Sequence, residues 1–366
     1  MLVPAGPEVR PERDEERVEV RAFRYAPRRF EVVGYGRSLR ADERIRSASA
    51  LAAPLYFRGA RRALARELAN GAWDLIHAHW IVPNALVAAP LAGAVPLAVG
   101  LHGSDVFLAE RAWLRPWVRR ALARTSLLTS CSPELARRIE AIGFDPARSR
   151  VIPYGVDVEL FRPDPARRAL WRDRLGVPES APLALSVGRM ASKKGYQVLV
   201  EALDELFRRA PDLHLVLAGG GDRLDEWRRA TERHRARVHF TGPILHDSLP
   251  DLYRAADLFV LPAVHDRKGN VDGLPNVILE AMASGLAVVA SGVSGIPLAV
   301  EEGRTGRLVP EGDSAALAAA LAGLAAAPAV RSAYGAAGRE RAVRDLTWDA
   351  VARRYREGYL AALNRE

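Results

Sequence analysis

Asp272-Gly-Leu-Pro-Asn-Val-Ile-Leu-Glu-Ala-Met-Ala-Ser-Gly285 runs a turn straight into a helix. Gly273 and Pro275 form the turn, so the free backbone N–H groups of Leu274, Asn276 and Val277 gather at the positive end of the helix dipole, an arrangement suited to an anion. Glu280 follows Asn276 by four residues and shares its helix face, where its carboxylate can accept hydrogen bonds from hydroxyls on whatever carries the phosphate. Asp272, just ahead of the turn, offers a second carboxylate. In isolation the segment admits a second reading, a capped helix whose two acids are merely solvated.

Working outward, Gly188-Arg189 follows the apolar run 183–187, and Lys194-Gly195 precedes the next amphipathic stretch. Both cations thus sit at the carboxyl end of a strand, where open α/β sheets take ligands. Arg presents a fork to phosphate oxygens and Lys a point charge. Short apolar runs alternate with amphipathic stretches almost throughout, the pattern of parallel sheets covered by helices on both faces, so the fold class is α/β. Strands are expected at Val18–Phe23, Leu75–His77, Leu97–Leu101, Leu127–Ser130 and Val151–Ile152, with a helix over Ser47–Asn70. In the second half they are expected at Leu183–Val187, Leu213–Ala218, Val238–Thr241, Leu258–Pro262 and Leu286–Ala290. The Ala-rich run 315–330 reads as a surface-packed helix, and Trp348–Leu363 has helical period with Trp348, Val351, Tyr355 and Tyr359 on one stripe.

With 366 residues the chain exceeds what one hydrophobic core serves. Pro and Gly residues place the linker in 154–174. The expected organisation is a domain over 1–162, a second over 163–345 and a closing helix over 346–366. Hydrophobic residues make up 49% and charged residues 27%, which excludes a disordered chain. Cys131 is the sole cysteine. That rules out an intrachain disulfide and a multi-cysteine metal cluster, and it favours a reducing compartment, the cytoplasm. The net charge of +9 comes from scattered Arg, with no basic helix interleaved with stacking aromatics, so no nucleic-acid role is expected. The stretch 111–124 sets Trp113, Leu114, Trp117 and Val118 against five Arg. It reads either as a core-facing helix with a solvated basic side or as peripheral contact with an anionic membrane at the inner face.

Gly188-Arg189…Lys194-Gly195, the Gly219-Gly220-Gly221 turn, Tyr253…Asp257 and Asp272…Glu280-Ala281-Met282-Ala283…Gly285 occur in that order, and as an ordered set the chain resembles the glycosyltransferases group 1 family from about residue 70 to the end. The resemblance implies a GT-B fold, two Rossmann-like parallel-sheet domains facing a central cleft. It also implies a retaining, metal-independent transferase with a nucleotide-sugar donor. By that resemblance Glu280 holds the ribose and Asp272 the transferred sugar, Arg189 and Lys194 hold the diphosphate, and Gly188, Gly273, Leu274 and Asn276 complete the donor site. His102, in His102-Gly103-Ser104-Asp105, lies near the transferred sugar and with Asp272 makes up the catalytic pair. Taken alone, such a histidine is more often a satisfied structural residue than a ligand. The pocket for the base falls near Gly242–Leu245. Two positions depart from the family: Asp272, where Glu is usual, and Leu298 after Gly295-Ile296-Pro297, where Glu commonly follows.

Chemically, a sugar leaving a nucleoside diphosphate requires stabilisation of the charge developing on the phosphates. Arg189, Lys194 and the helix N-terminus can supply it without a divalent ion. No Asp-x-Asp pair occurs in the sequence, and His77-Ala78-His79-Trp80 has the spacing of a metal site but no third ligand, so no metal and no cofactor are expected. The donor is a UDP- or GDP-sugar and the acceptor a glycan or lipid-linked glycan. By the same resemblance the chain opens late: Leu2-Val3-Pro4 corresponds to the end of a second strand, so the first strand, its Gly-rich turn and first helix are expected to lie upstream of a truncated N-terminus. That departure, with Leu298, leaves a second functional reading, a catalytically impaired GT-B remnant binding a nucleotide or a protein.

Overall fold

Strand Leu183–Val187 is wholly buried along its length, as a Leu-Ala-Leu-Ser-Val run must be when helices cover both faces of a parallel sheet. It lies in a six-stranded, all-parallel sheet of order Val238–Gly242, His214–Ala218, Leu183–Val187, Leu258–Leu261, Ala287–Ser291, Gly306–Val309. Chain order runs outward from Leu183–Val187 in one direction and then resumes beside it in the other. The reversal point therefore falls between Leu183–Val187 and Leu258–Leu261, and the carboxyl ends of those two strands frame a crevice. On one face the helices Tyr196–Arg209 and Ser314–Ala326 close the core through Leu199, Leu203, Leu206, Leu317 and Leu321. Each such side chain contributes roughly 1.5–3 kcal/mol by leaving water.

The structure is a computed structural model and describes residues 1–5, 18–33, 39–40, 44–45 and 47–364. The chain divides into two compact units. The first comprises Met1–Thr129, Ala136–Arg150 and Gly358–Glu366, and the second Ser130–Leu135 and Val151–Glu357. The segment expected as a linker, 154–174, thus lies inside the second unit. Within that unit Val156 N–H donates to the Leu346 carbonyl at 2.8 Å and Val156 bridges Thr347, which ties the segment to the start of helix Trp348–Leu363. That helix belongs to the second unit through Glu357 and to the first from Gly358.

In the first unit a four-stranded sheet has the order Ile76–His79, Leu97–Leu101, Thr125–Ser130, Ser149–Val151. A separate parallel pair, Leu2–Pro4 with Arg21–Phe23, is shorter than the Val18–Phe23 strand expected. Helix Ser47–Asn70 packs Ala52, Tyr56 and Ala60 against Tyr25 and Val87.

Two expectations need correcting. The Ala-rich stretch is not one surface helix: Pro328 cannot continue the backbone ladder, and two helices, Ser314–Ala326 and Pro328–Asp345, meet at a 102° bend, with Leu317, Ala318 and Leu321 of the first fully buried. Trp113 and Trp117 do not join the core with Leu114 and Val118; they are 72% and 59% exposed.

Candidate donor site

The loop leaving strand Leu183–Val187 is pressed onto the end of strand Leu258–Leu261 by Gly195, which has φ +71° and whose hypothetical Cβ would stand 1.6 Å from the Pro262 carbonyl oxygen. No side chain fits there, so the sequence Lys193-Lys194-Gly195 is carried to the sheet's reversal point. A second close approach holds the neighbouring turn: at Gly219, φ +138°, a Cβ would lie 1.9 Å from the Gly188 carbonyl oxygen. Arg189 is half-buried in this loop, with its carbonyl accepting from Ala191 N–H at 2.8 Å.

At this point the structure brings Asp272 between two lysines: Oδ1 is 2.8 Å from Lys193 Nζ and Oδ2 is 2.6 Å from Lys194 Nζ. Burial alone would raise the Asp272 carboxyl, but Lys194 and Lys193 outweigh it and hold the acid well below the usual carboxylate range. Lys194 therefore lies against Asp272, whereas the family pattern had set the two on different parts of a ligand. Lys193, buried, is a member that sequence reasoning missed; its only signal is the Lys-Lys pair itself.

Gly273 and Pro275 lead into helix Asn276–Ala283, whose N-terminus has no side-chain cap. The Gly273 carbonyl accepts from Gly295 N–H at 2.7 Å, which fixes the turn. Leu274 is buried, Asn276 exposed and Glu280 half-buried one turn along. Tyr253 Oη donates to Glu280 Oε2 at 2.8 Å. Burial pushes Glu280 above its ordinary value against the lowering effect of that bond, and burial with the nearby carboxylate pushes the Tyr253 phenol well up. Tyr253 thus orients Glu280, which its place in the motif did not disclose. Asp257, from the same motif, is structural: it pairs with Arg168 at 2.9 Å and Arg172 at 3.3 Å and accepts from Leu183 N–H at 2.8 Å. Leu298, in the short helix Ile296–Ala299, contributes its carbonyl to Arg341 at 2.6 Å. Leu245, in the segment expected near the base, is 80% exposed.

In the first unit His102 leaves strand Leu97–Leu101 and is held by Asp105, which is buried. Asp105 Oδ1 accepts from His102 N–H at 3.1 Å and Gly103 N–H at 2.9 Å, and its Oδ2 accepts from Ile81 N–H at 3.0 Å. His102 Nε2 lies 2.9 Å from His79 Nδ1, and the rings of His79 and His77 stack at 4.2 Å. Desolvation lowers His102 and His79 to about 4 and His77 to about 3, so all three are neutral at pH 7. Among the described residues no group of three or more metal-ligating side chains forms a site.

Residues 181–327 match the family model described as glycosyl transferases group 1, and residues 12–160 match that of glycosyltransferase family 4. The GDP-mannose-dependent alpha-(1-6)-phosphatidylinositol monomannoside mannosyltransferase of Mycobacterium tuberculosis is 36% identical over 276 residues, 74% of this chain and 71% of that protein. The D-inositol 3-phosphate glycosyltransferase of Thermomonospora curvata is 35% identical over 323 residues, 80% of this chain and 72% of that protein. Among solved structures, Anabaena HepE in complex with UDP and glucose superposes with a TM-score of 0.71 at 23% identity, covering 93% of this chain and 85% of that one. Sucrose-phosphate synthase from Thermosynechococcus elongatus superposes with a TM-score of 0.71 at 26% identity, covering 86% and 79%. The fold is GT-B.

Proposed function

Because this chain belongs to the glycosyl transferases group 1 family, and is accordingly a glycosyltransferase, we propose that it moves a hexose from a nucleoside-diphosphate sugar to an inositol-containing glycolipid or inositol phosphate, with retention and without a metal ion. The acceptor class rests on the relatives, which are named for phosphatidylinositol monomannoside and inositol 3-phosphate. The single observation that carries the donor assignment is Asp272 flanked by Lys193 and Lys194 in front of the uncapped helix that bears Glu280.

In this reading Arg189, Lys194 and the helix N-terminus bind the diphosphate, Glu280 accepts from the ribose hydroxyls and Asp272 from the sugar. The bond between the anomeric carbon and the phosphate oxygen breaks, a bond to the acceptor hydroxyl forms, and the hydroxyl proton leaves to the released nucleoside diphosphate or to water. Charge growing on the departing phosphates is met by cations already in place, which is the arrangement that lowers such barriers most. Lys193 keeps Asp272 ionised and ready to accept when Lys194 turns to the phosphates. Neutral His102 suits a hydrogen bond to the sugar rather than an ion pair. The lone, buried Cys131 fits a reducing compartment, the cytoplasm.

Calorimetry or thermal shift with UDP, GDP and their sugars, in the presence of a chelator, tests this on the unchanged chain and on Glu280→Ala. One nucleotide should bind and lose affinity in the variant; a folded chain that responds to none of them would sink the assignment.

A further inference from the structure

Within the first unit, helices Ser47–Asn70 and Arg115–Ala123 leave between them an open groove of about 1120 Å³ whose floor is apolar, formed by Phe57, Leu86, Ala89, Leu114 and Ala121. Five arginines surround it: Arg58, Arg61 and Arg62 on the first helix, Arg120 and Arg124 at the second. Among the described lining residues there is no acid. Among the described residues no carboxylate pairs with Arg58, Arg61, Arg62 or Arg120, in contrast to Arg21 with Glu67 or Arg138 with Glu110 in the same unit. Trp113 and Trp117 stand at the lip, the most exposed tryptophans of the chain, with the Arg120 guanidinium 5.3 Å from the Trp117 ring.

Two features of this surface are costly in water and become favourable together at one kind of partner. Large exposed indoles beside an apolar floor gain by entering a medium whose interior is apolar and whose boundary accepts the indole N–H. Uncompensated guanidiniums around them gain from dense negative charge at the level of that boundary. Leu51 and Leu55, exposed on helix Ser47–Asn70 two turns and one turn before Arg58, extend the same face, and Arg58 and Arg62 also line the adjoining groove beside strand Arg21–Phe23. A soluble polyanion would satisfy the arginines but not Trp113, Trp117 or the floor.

We infer that this groove is the membrane-docking surface of the protein, taking an anionic phospholipid bilayer with Trp113 and Trp117 inserted at the headgroup boundary and Arg58, Arg61, Arg62 and Arg120 on lipid phosphates. It involves none of the residues assigned to the donor, so it stands or falls separately from the donor reading.

Flotation of the full chain with vesicles of phosphatidylcholine and phosphatidylglycerol in equal parts, and with phosphatidylcholine alone, tests it. The variants are Trp113→Ala/Trp117→Ala and Arg58→Gln/Arg61→Gln/Arg62→Gln. All five positions are exposed, four on helices and Trp113 in the turn that leads into one, and melting with far-UV circular dichroism certifies each variant as folded. Binding should be confined to the anionic vesicles and fall about tenfold or more in either variant. It should also weaken, without vanishing, at about 0.5 M salt, since the indole contribution is not screened. Equal binding to neutral vesicles, or no binding to either, overturns the inference. So does vesicle binding that ignores the tryptophan pair and is abolished by heparin or salt, which would mark the face as a polyanion surface instead.

Discussion

The phenol of Tyr253 donates to the carboxylate of Glu280 at 2.8 Å, and neither partner reaches that position by chance of exposure, since Tyr253 is fully buried behind the helix that carries Glu280. Such a bond fixes which oxygen of Glu280 remains directed outward to accept from a ligand hydroxyl. Tyr253→Phe keeps the ring packing and removes only the donor. Hydrogen bonds to charged groups contribute about 1.5–3 kcal/mol. Nucleotide affinity is therefore expected to fall roughly tenfold, about 1.4 kcal/mol, and the melting temperature to drop as well, since the bond is already made in the free protein; calorimetry and melting curves on the two proteins check it.

Burial lifts the Glu280 carboxyl above 4.5, its ordinary value, even with the Tyr253 bond opposing. The folded protein thus holds this proton more tightly than the unfolded chain does. The stability contributed by Glu280 is full below pH 4.5 and is lost as pH climbs through the raised value. At pH 7 the buried carboxylate is a cost that a ligand's hydroxyls offset. Glu280→Gln should melt at a higher temperature than the unchanged chain at pH 7, lose that advantage near pH 4, and bind nucleotide more weakly. Melting curves at both pH values decide it.

For Asp272 the sign is reversed. Lys194 and Lys193 hold its folded-state carboxyl well below the ordinary 3.8 despite burial, so its contribution is complete above pH 3.8 and disappears as pH falls through the depressed value. Asp272→Asn removes the carboxylate that lies between Lys194 and Lys193, the latter only 8% exposed. Breaking a buried pair from one side costs about 3–5 kcal/mol. Urea unfolding at pH 7 should show a loss of that order, and the variant's stability should vary less between pH 4 and pH 2 than that of the unchanged chain.

Periodicity sufficed for helices Ser47–Asn70 and Trp348–Leu363, which form over those spans, and for the buried strands, which fall within a few residues of their apolar runs. The last strand, Gly306–Val309, escaped because Gly-Arg-Leu-Val is short and carries a charge; it is a strand because Val288 to Ser291 lie beside it to pair with. Asp272, Lys194 and Glu280 were legible through an ordered motif, but not their partners. That Lys193 closes on Asp272, and Tyr253 on Glu280, depends on loops brought together at the sheet's reversal point. Local spacing does not encode such a juxtaposition; the one hint was Gly195, a residue that must lack a side chain for the loop to arrive.

That requirement is itself testable. At Gly195 a methyl group would have to occupy the space of the Pro262 carbonyl oxygen, 1.6 Å away, with the backbone at φ +71°. The neighbour is backbone at the end of a central strand and cannot turn aside. Gly195→Ala should displace the Lys193–Lys194 loop and cost on the order of 4 kcal/mol, in the exceptional range for a single substitution. Where the variant still folds, it should lose nucleotide binding, measured by thermal shift.

Asp105 offers a change confined to the first unit. Its carboxylate is buried and receives backbone N–H groups that include those of Ile81, His102 and Gly103, yet burial still pushes the carboxyl above its ordinary value, the bonds only partly compensating. Removing the acceptor strands those donors, at about 1–3 kcal/mol for each one left buried. Asp105→Ala should therefore lower stability and loosen the turn that aims His102. Asp105→Asn, which can still accept through its carbonyl oxygen from His102 and Gly103, should fall between. Because the groups proposed for the nucleoside diphosphate, Arg189, Lys194 and Glu280, lie in the second unit, nucleotide affinity should be nearly unchanged in folded Asp105→Asn while turnover drops. Calorimetry paired with a transfer assay separates the two, and parallel losses of affinity and turnover would place His102 outside the reaction.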